Sequence, residues 1–234
     1  MAASKKTQLF LPAQPAMDFF PFKEWQTAVT KSLRDISTYS EQPAIGVHLL
    51  REQIKEFLLL TRGVRCNVDE VMITSGSQQA LSIALNLLVN SGDSVLLEEI
   101  GFKGIDGALQ TTLPIDEHGV CFNKNDGVCQ QAKTLILTPS RSFPLGHTLS
   151  LQRRLAILEW AYETQGWVIE DDYDSEFIFN GHSIASLQGL DSGGRVIYTG
   201  TFSRTMFPSI RLGYIVLPAV LAPLFDKYKR FVNG

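Results

Sequence analysis

The chain has 234 residues, 44% of them apolar, with 21 basic against 24 acidic side chains and a formal net charge of −3. That composition fits a globular protein long enough to bury a sizeable core, and it excludes a general positive field for a nucleic-acid backbone. Cys66, Cys121 and Cys129 form neither an even set nor a zinc-ligand spacing, the start MAASKKTQLF lacks the apolar core of a secretory signal, and no apolar run nears the ~20 residues that cross a bilayer, so a cytoplasmic protein without a membrane segment is expected.

Residues 1 to 40 carry Pro12, Pro15 and the aromatic cluster Phe19, Phe20, Phe22 and Trp25, and read as an extended arm leading into a helix over Glu24 to Asp35. Such an arm usually packs on something. Leu49 to Thr61 sets Leu49, Leu50, Ile54, Phe57 and Leu58 at helical spacing, with Gly63 placed as a stop. A β-turn-α unit follows: strand Glu70 to Thr74, turn Ser75-Gly76-Ser77, and helix Gln78 to Val89, ended by Asn90 to Asp93. Strands at Ser94 to Leu97, Thr134 to Thr138, Trp167 to Asp171 and Arg195 to Thr199, and a helix at Ser150 to Gln165, continue the alternation. Residues 109 to 132 mix Pro114, two glycines and polar side chains with short apolar runs, and no element is assigned to them. The rhythm predicts an α/β layered fold in which residues 41 to 234 form one body, without internal repeats or a low-complexity linker.

Three stretches hold residues suited to chemistry. Ser75-Gly76-Ser77-Gln78-Gln79 lies where a strand gives way to a helix, so free backbone N–H groups and the helix dipole could receive a phosphate; equally, Ser75 or Ser77 could be an ordinary N-cap. Carboxylates crowd Glu170 to Glu176, at a strand end where α/β proteins bind ligands. There Asp171 could face a protonated ring nitrogen, and Tyr173, two residues on and on the same side of an extended chain, a phenolic oxygen. No histidine lies among these carboxylates, so a metal site is not expected, and solvated loop charge is the plain alternative. Between Tyr198 and Pro218 come Thr199, Thr201, Ser203, Thr205 and Arg211, donors suited to an anion, against the alternative of a surface arginine paired with a carboxylate.

Taken in order, ITSGSQQAL at Ile73 to Leu81, LTPSRSFPLGHTLSLQRRLAILEWA at Leu137 to Ala161, EDDYDSEF at Glu170 to Phe177 and GTFSRTMFPSIRLGY at Gly200 to Tyr214 resemble the fold-type I pyridoxal phosphate (PLP) enzymes. More closely, they resemble the aminotransferase-like domain of MocR-type regulators in the GntR superfamily. The resemblance implies a three-layer α/β/α large domain with a mainly parallel sheet, truncated so that the C-terminal small domain is missing. It also implies that Gly76, Ser77 and Gln78 hold the PLP phosphate with Thr201, Ser203 and Arg211, that Asp171 pairs with the pyridinium nitrogen, that Tyr173 contacts the ring hydroxyl, and that Phe102 stacks on the ring where tyrosine is usual.

Arg204 departs from the pattern. The family has a lysine there, whose amine forms the Schiff base with PLP, whereas a guanidinium stays protonated and is a very poor nucleophile. Neither Lys103 nor Lys227 lies in the motif. Ordinary transamination is therefore expected to fail, and the resemblance implies a degenerate effector or oligomerisation domain that holds PLP or pyridoxamine phosphate (PMP) noncovalently, with a PLP-dependent aminotransferase-like enzyme or a ligand-free interaction remnant as the alternatives. Homodimerisation is expected, with a small amino acid or a B6 compound as effector. The family's winged helix-turn-helix domain is not matched, so no direct DNA binding is expected of this chain alone. The segment after the second strand looks shortened around Gly104 to Ile115, which leaves the local sheet order open.

Overall fold

The structure, a computed structural model, describes residues 15–101, 109–177 and 185–233. Short apolar runs supply the strands that set the frame. β1 (Val71–Thr74), β2 (Ser94–Glu98), β3 (Leu109–Leu113), β6 (Thr134–Leu137), β7 (Trp167–Asp172), β8 (Val196–Thr201) and β9 (Gly213–Val216) form one sheet in the order β1-β9-β8-β7-β6-β2-β3. β9 runs antiparallel to both neighbours and the other pairings are parallel. A short hairpin, β4 (Ile115–Asp116) with β5 (Gly119–Val120), stands apart.

Successive strand residues feed opposite faces, as the pleat requires. Ile197 and Ile215 face a core with Ala80, Leu81, Ile83 and Ala84 of α3 (Ser77–Leu88) and Phe225 of α7 (Ala222–Asn233). On the other face, Val168 and Val196 meet Ile157, Leu158, Trp160 and Ala161 of α5 (Leu151–Thr164) and Leu187 of α6 (Leu187–Leu190), while Tyr198, Tyr214 and Val216 meet Ile54 and Leu58 of α2 (His48–Arg62). The result is the expected three-layer α/β/α arrangement. Each buried valine, leucine, isoleucine or phenylalanine among them, removed from water, stabilises the fold by about 1.5–3 kcal/mol.

The local signals explain most element ends. α2 stops at Gly63, which is left-handed at φ 67°, and the Val64 N–H donates to the Leu58 carbonyl at 3.3 Å, closing the helix as a glycine stop should. α5 starts at Ser150, whose hydroxyl accepts from the Arg153 N–H. α1 (Phe22–Leu33) begins two residues before the expected Glu24, directly after Pro21, and none of its residues is buried. The segment leading into it and its first turn do pack: Phe20 and Trp25 meet Phe207 edge-on at 5.4 and 5.5 Å. Pro12 lies outside the described residues.

Residues 109 to 132, left without elements by their sequence, hold β3, the β4–β5 hairpin and α4 (Gly127–Gln131). β3 lies at the sheet edge with mostly exposed side chains, so it needs no apolar alternation to pair with β2. Its parallel register, Ser94 opposite Leu109 through Glu98 opposite Leu113, settles the sheet order left open there. β8 continues two residues beyond the expected Thr199, to Thr201. Among the described residues, no helix is long and apolar enough to cross a membrane.

Candidate functional site

Register brings the site together. Thr74, the last residue of β1, and Thr201, the last of β8, both lie opposite Gly213, the first of β9, so the turn before α3 and the loop after β8 meet at one edge. β6 and β7 end at the same edge, as parallel pairing dictates. A Cβ on Gly213 would sit 2.7 Å from the Gly76 Cα, so only glycine lets the start of α3 approach the sheet this closely.

A cleft of about 390 Å³ opens there. Ser77 and Gln78 line it from α3, Asp171 and Tyr173 from the end of β7, and Thr201, Ser203, Arg204 and Arg211 from the segment after β8. Gly76 abuts it: a Cβ there would lie 3.0 Å from Arg211 Nη2. Phe102 lies outside the described residues. Sequence reasoning missed Gly101, Thr138 and Phe143, which complete the wall. Thr138 follows the last residue of a parallel strand, a position that could have flagged it.

The turn before α3 differs from the simple capped helix. Gly76, with φ 91°, is the N-cap and makes no side-chain cap bond, so neither Ser75 nor Ser77 fills that role. Instead the Thr74 hydroxyl donates to the Gly76 carbonyl at 3.0 Å, and Gln79 Oε1 accepts from the Ser75 N–H at 2.8 Å and from Lys229 Nζ at 2.9 Å. The helix start is braced from behind while its front faces the cleft.

The acidic stretch is sorted by the strand's alternation. Glu170 and Asp172 point away from the cleft: Glu170 accepts from the N–H groups of Leu187 and Gln188 at 3.1 and 3.0 Å, and Asp172 accepts from Arg62 Nε at 2.8 Å and the Tyr198 hydroxyl at 2.6 Å. Asp171, on the opposite side, faces the cleft and accepts from the Thr199 hydroxyl at 2.9 Å. Thr199, expected among the anion donors, is therefore buried and committed to Asp171. Thr205 is exposed and is not part of the cleft wall. Burial pushes the Asp171 carboxyl up to about 6, against the opposing Thr199 hydrogen bond. Burial likewise raises the Tyr173 phenol, keeping it a neutral donor. Glu98, at the end of β2, accepts from the Thr138 N–H and hydroxyl at 2.9 and 2.6 Å and is also raised by burial. Among the described residues, no group of three or more His, Cys, Asp or Glu side chains could hold a metal ion.

Among the described residues, Arg211 has no carboxylate within ion-pair distance. Its backbone is left-handed at φ 48°, unusual for a residue with a Cβ, and its Nη2 donates to the Ser75 carbonyl at 3.0 Å. Thr201 and Ser203 bond each other, hydroxyl to hydroxyl at 3.0 Å and Ser203 N–H to Thr201 Oγ1 at 3.2 Å. Arg204 projects into the same cleft, its Cζ 5.3 Å from the Tyr173 ring centroid, and Phe143 meets that ring edge-on at 6.3 Å. This donor set suits a phosphorylated aromatic ring with a protonatable nitrogen: hydroxyls, a helix start and a guanidinium for the anion, a buried carboxylate for the nitrogen, and aromatic walls. Among the described residues, no lysine lines the cleft.

The chain matches the aminotransferase class I and II family over residues 13–234. It is 36% identical to the probable rhizopine catabolism regulatory protein MocR of Rhizobium meliloti over 237 aligned positions, covering 96% of this chain and 46% of the relative. The fold resembles Pyrococcus horikoshii kynurenine aminotransferase, solved with PMP, with a TM-score of 0.85 at 26% identity over 94% of this chain and 58% of that one. It also resembles the α-aminoadipate aminotransferase LysN of Thermus thermophilus, solved with N-(5'-phosphopyridoxyl)-L-leucine, with a TM-score of 0.85 at 28% identity over 95% and 59%. The chain spans about half the length of the curated relatives it matches.

Proposed function

The chain belongs to the aminotransferase class I and II family, on its MocR-type side, and on that premise we propose that it is an effector-binding and self-association domain rather than a working transaminase. Its effector is a phosphorylated B6 compound held without a covalent bond, in the setting of a cytoplasmic regulator. The observation that carries this reading is Arg204: it lines the cleft at the position where the family pattern has its lysine, while the frame around it is kept.

When bound, pyridoxal phosphate supplies an electron-accepting ring and an aldehyde reactive toward amines. The chain's own groups divide the work of holding it. Ser77, Gln78, Thr201, Ser203 and Arg211 offer donors to the phosphate, and the N-terminal end of α3 adds its partial positive charge. Asp171 offers an anion to the ring nitrogen from a site that excludes most water, which strengthens the attraction. Tyr173, kept protonated, donates to the ring oxygen. Arg204 neither attacks a carbonyl carbon nor moves a proton at neutral pH, so the amine-transfer cycle has no nucleophile or base from this position.

The test is a titration of the chain with PLP and PMP, beside Arg204→Lys, followed by borohydride and mass spectrometry. Reversible binding with no trapped adduct is expected for the wild type, and an adduct trapped on the introduced lysine for the variant. A wild-type adduct on any lysine refutes the noncovalent reading. Failure of the wild type to bind any B6 phosphate refutes the effector reading and leaves an interaction domain.

A further inference from the structure

The cleft holds two guanidiniums, Arg204 and Arg211. Among the described residues neither Arg204 nor Arg211 has a carboxylate within ion-pair distance. Arg211 spends one donor on the Ser75 carbonyl, and Arg204 lies against the face of Tyr173. In the loop after β7, Asp174 pairs with Arg141 at 3.7 Å and attracts Arg204 only from beyond ion-pair distance. Asp171 is turned to Thr199.

An arginine half-buried beside aromatic rings is a poor resting place for a charge unless an anion joins it, because the guanidinium cannot shed its proton. Its planar fork matches a carboxylate in two parallel hydrogen bonds, which a lysine could not provide. One phosphate can satisfy Arg211 together with Ser77 and the α3 start. A second anion is needed for Arg204.

Resting on the B6-phosphate reading above, we propose that the ligand is an aromatic phosphate with two anionic groups: a phosphorylated pyridine that carries a carboxylate where PLP carries its aldehyde, with Arg204 as the carboxylate receptor. On this view the arginine is a specificity-determining residue. It favours the oxidised, acid form of the vitamin phosphate and disfavours PMP, whose arm ends in an ammonium that would face a guanidinium of like charge. The aldehyde form, uncharged on that arm, ranks between them.

The probes are 4-pyridoxic acid 5'-phosphate, PLP, PMP and inorganic phosphate, each titrated calorimetrically into the wild type, Arg204→Lys and Arg204→Met. For the wild type the acid is expected to bind at least about tenfold more tightly than PMP. That ratio should shrink in Arg204→Lys, which keeps a charge but not the fork, and fall to within about twofold in Arg204→Met. Equal binding of acid and PMP by the wild type refutes this proposal alone and leaves the B6 reading standing, as does a tenfold ratio that survives in Arg204→Met. Binding of inorganic phosphate with no gain from any ring compound, or no binding of any probe, refutes both. Circular dichroism of each variant separates loss of selectivity from loss of fold.

Discussion

At the scale of single residues, three neighbouring acids show how a strand assigns roles. Glu170, Asp171 and Asp172 are chemically near-identical, yet alternation sends the first and third to hold a helix start and an arginine and leaves the second for the cleft. Asp171 is held up to about 6 by burial, above the ~3.9 of an exposed aspartate. Its folded pKa is raised, so its contribution to stability is fully present below about pH 4 and is lost as pH rises through about 6. At pH 8 the ligand-free chain therefore carries a cost on the order of 3 kcal/mol, and Asp171→Asn should raise its melting temperature there. The same variant should weaken PMP binding at pH 8. Between pH 7 and pH 5 the wild type should lose affinity more steeply than Asp171→Asn, since only the wild type has this carboxylate to protonate. Calorimetry across that range checks it, and parallel profiles would remove Asp171 from the ring-nitrogen role.

At the scale of elements, the close approach of α3 to β9 decides whether the cleft exists. Gly76 supplies a left-handed N-cap, and Gly213 leaves room for it. A third glycine serves the same sheet: a Cβ on Gly200 would collide with the Tyr214 hydroxyl. Since the atom opposing a Gly213 Cβ is backbone rather than a flexible side-chain tip, Gly213→Ala must push the start of α3 outward. Urea denaturation should show a loss of about 1–3 kcal/mol, as for overpacked cores. Inorganic phosphate and PMP affinities should fall together, because the displaced turn carries Ser77 and Gln78. An alanine variant as stable as the wild type would mean that the turn yields cheaply.

At the scale of the whole molecule, the sheet is covered on both faces, but apolar side chains remain outside. Phe19 is 89% and Ile36 84% exposed, on the segments flanking the unburied α1. On the self-association reading proposed above, this apolar surface is the expected association face. Sedimentation of the wild type should show a concentration-dependent dimer, with dissociation at least about tenfold easier after Phe19→Ser and Ile36→Ser together. Melting temperature should barely change, since neither side chain contributes to the core. A wild type that stays monomeric at high concentration would end the dimer proposal.

The layered fold was legible from alternating strands and helices, because each element buries one periodic face and announces that period in its residues. Family motifs also identified Asp171, Tyr173, Arg204 and Arg211, which the folded chain brings around one cleft. What sequence could not supply was direction and company. Edge strand β3 needs no apolar alternation, and Phe143 reaches the cleft only because the loop after β6 is folded back, with the Arg154 guanidinium donating to the Pro139 carbonyl at 2.7 Å. Thr199 and Thr201 looked alike as donors, yet their hydroxyls go to Asp171 and to Ser203 and the Leu212 carbonyl respectively. The sequence determined which residues can carry the chemistry. Only the tertiary structure decided which of them face one another, because that depends on pairings between strands far apart in the chain, and among the described residues it left Arg204 facing the cleft with no carboxylate within ion-pair distance.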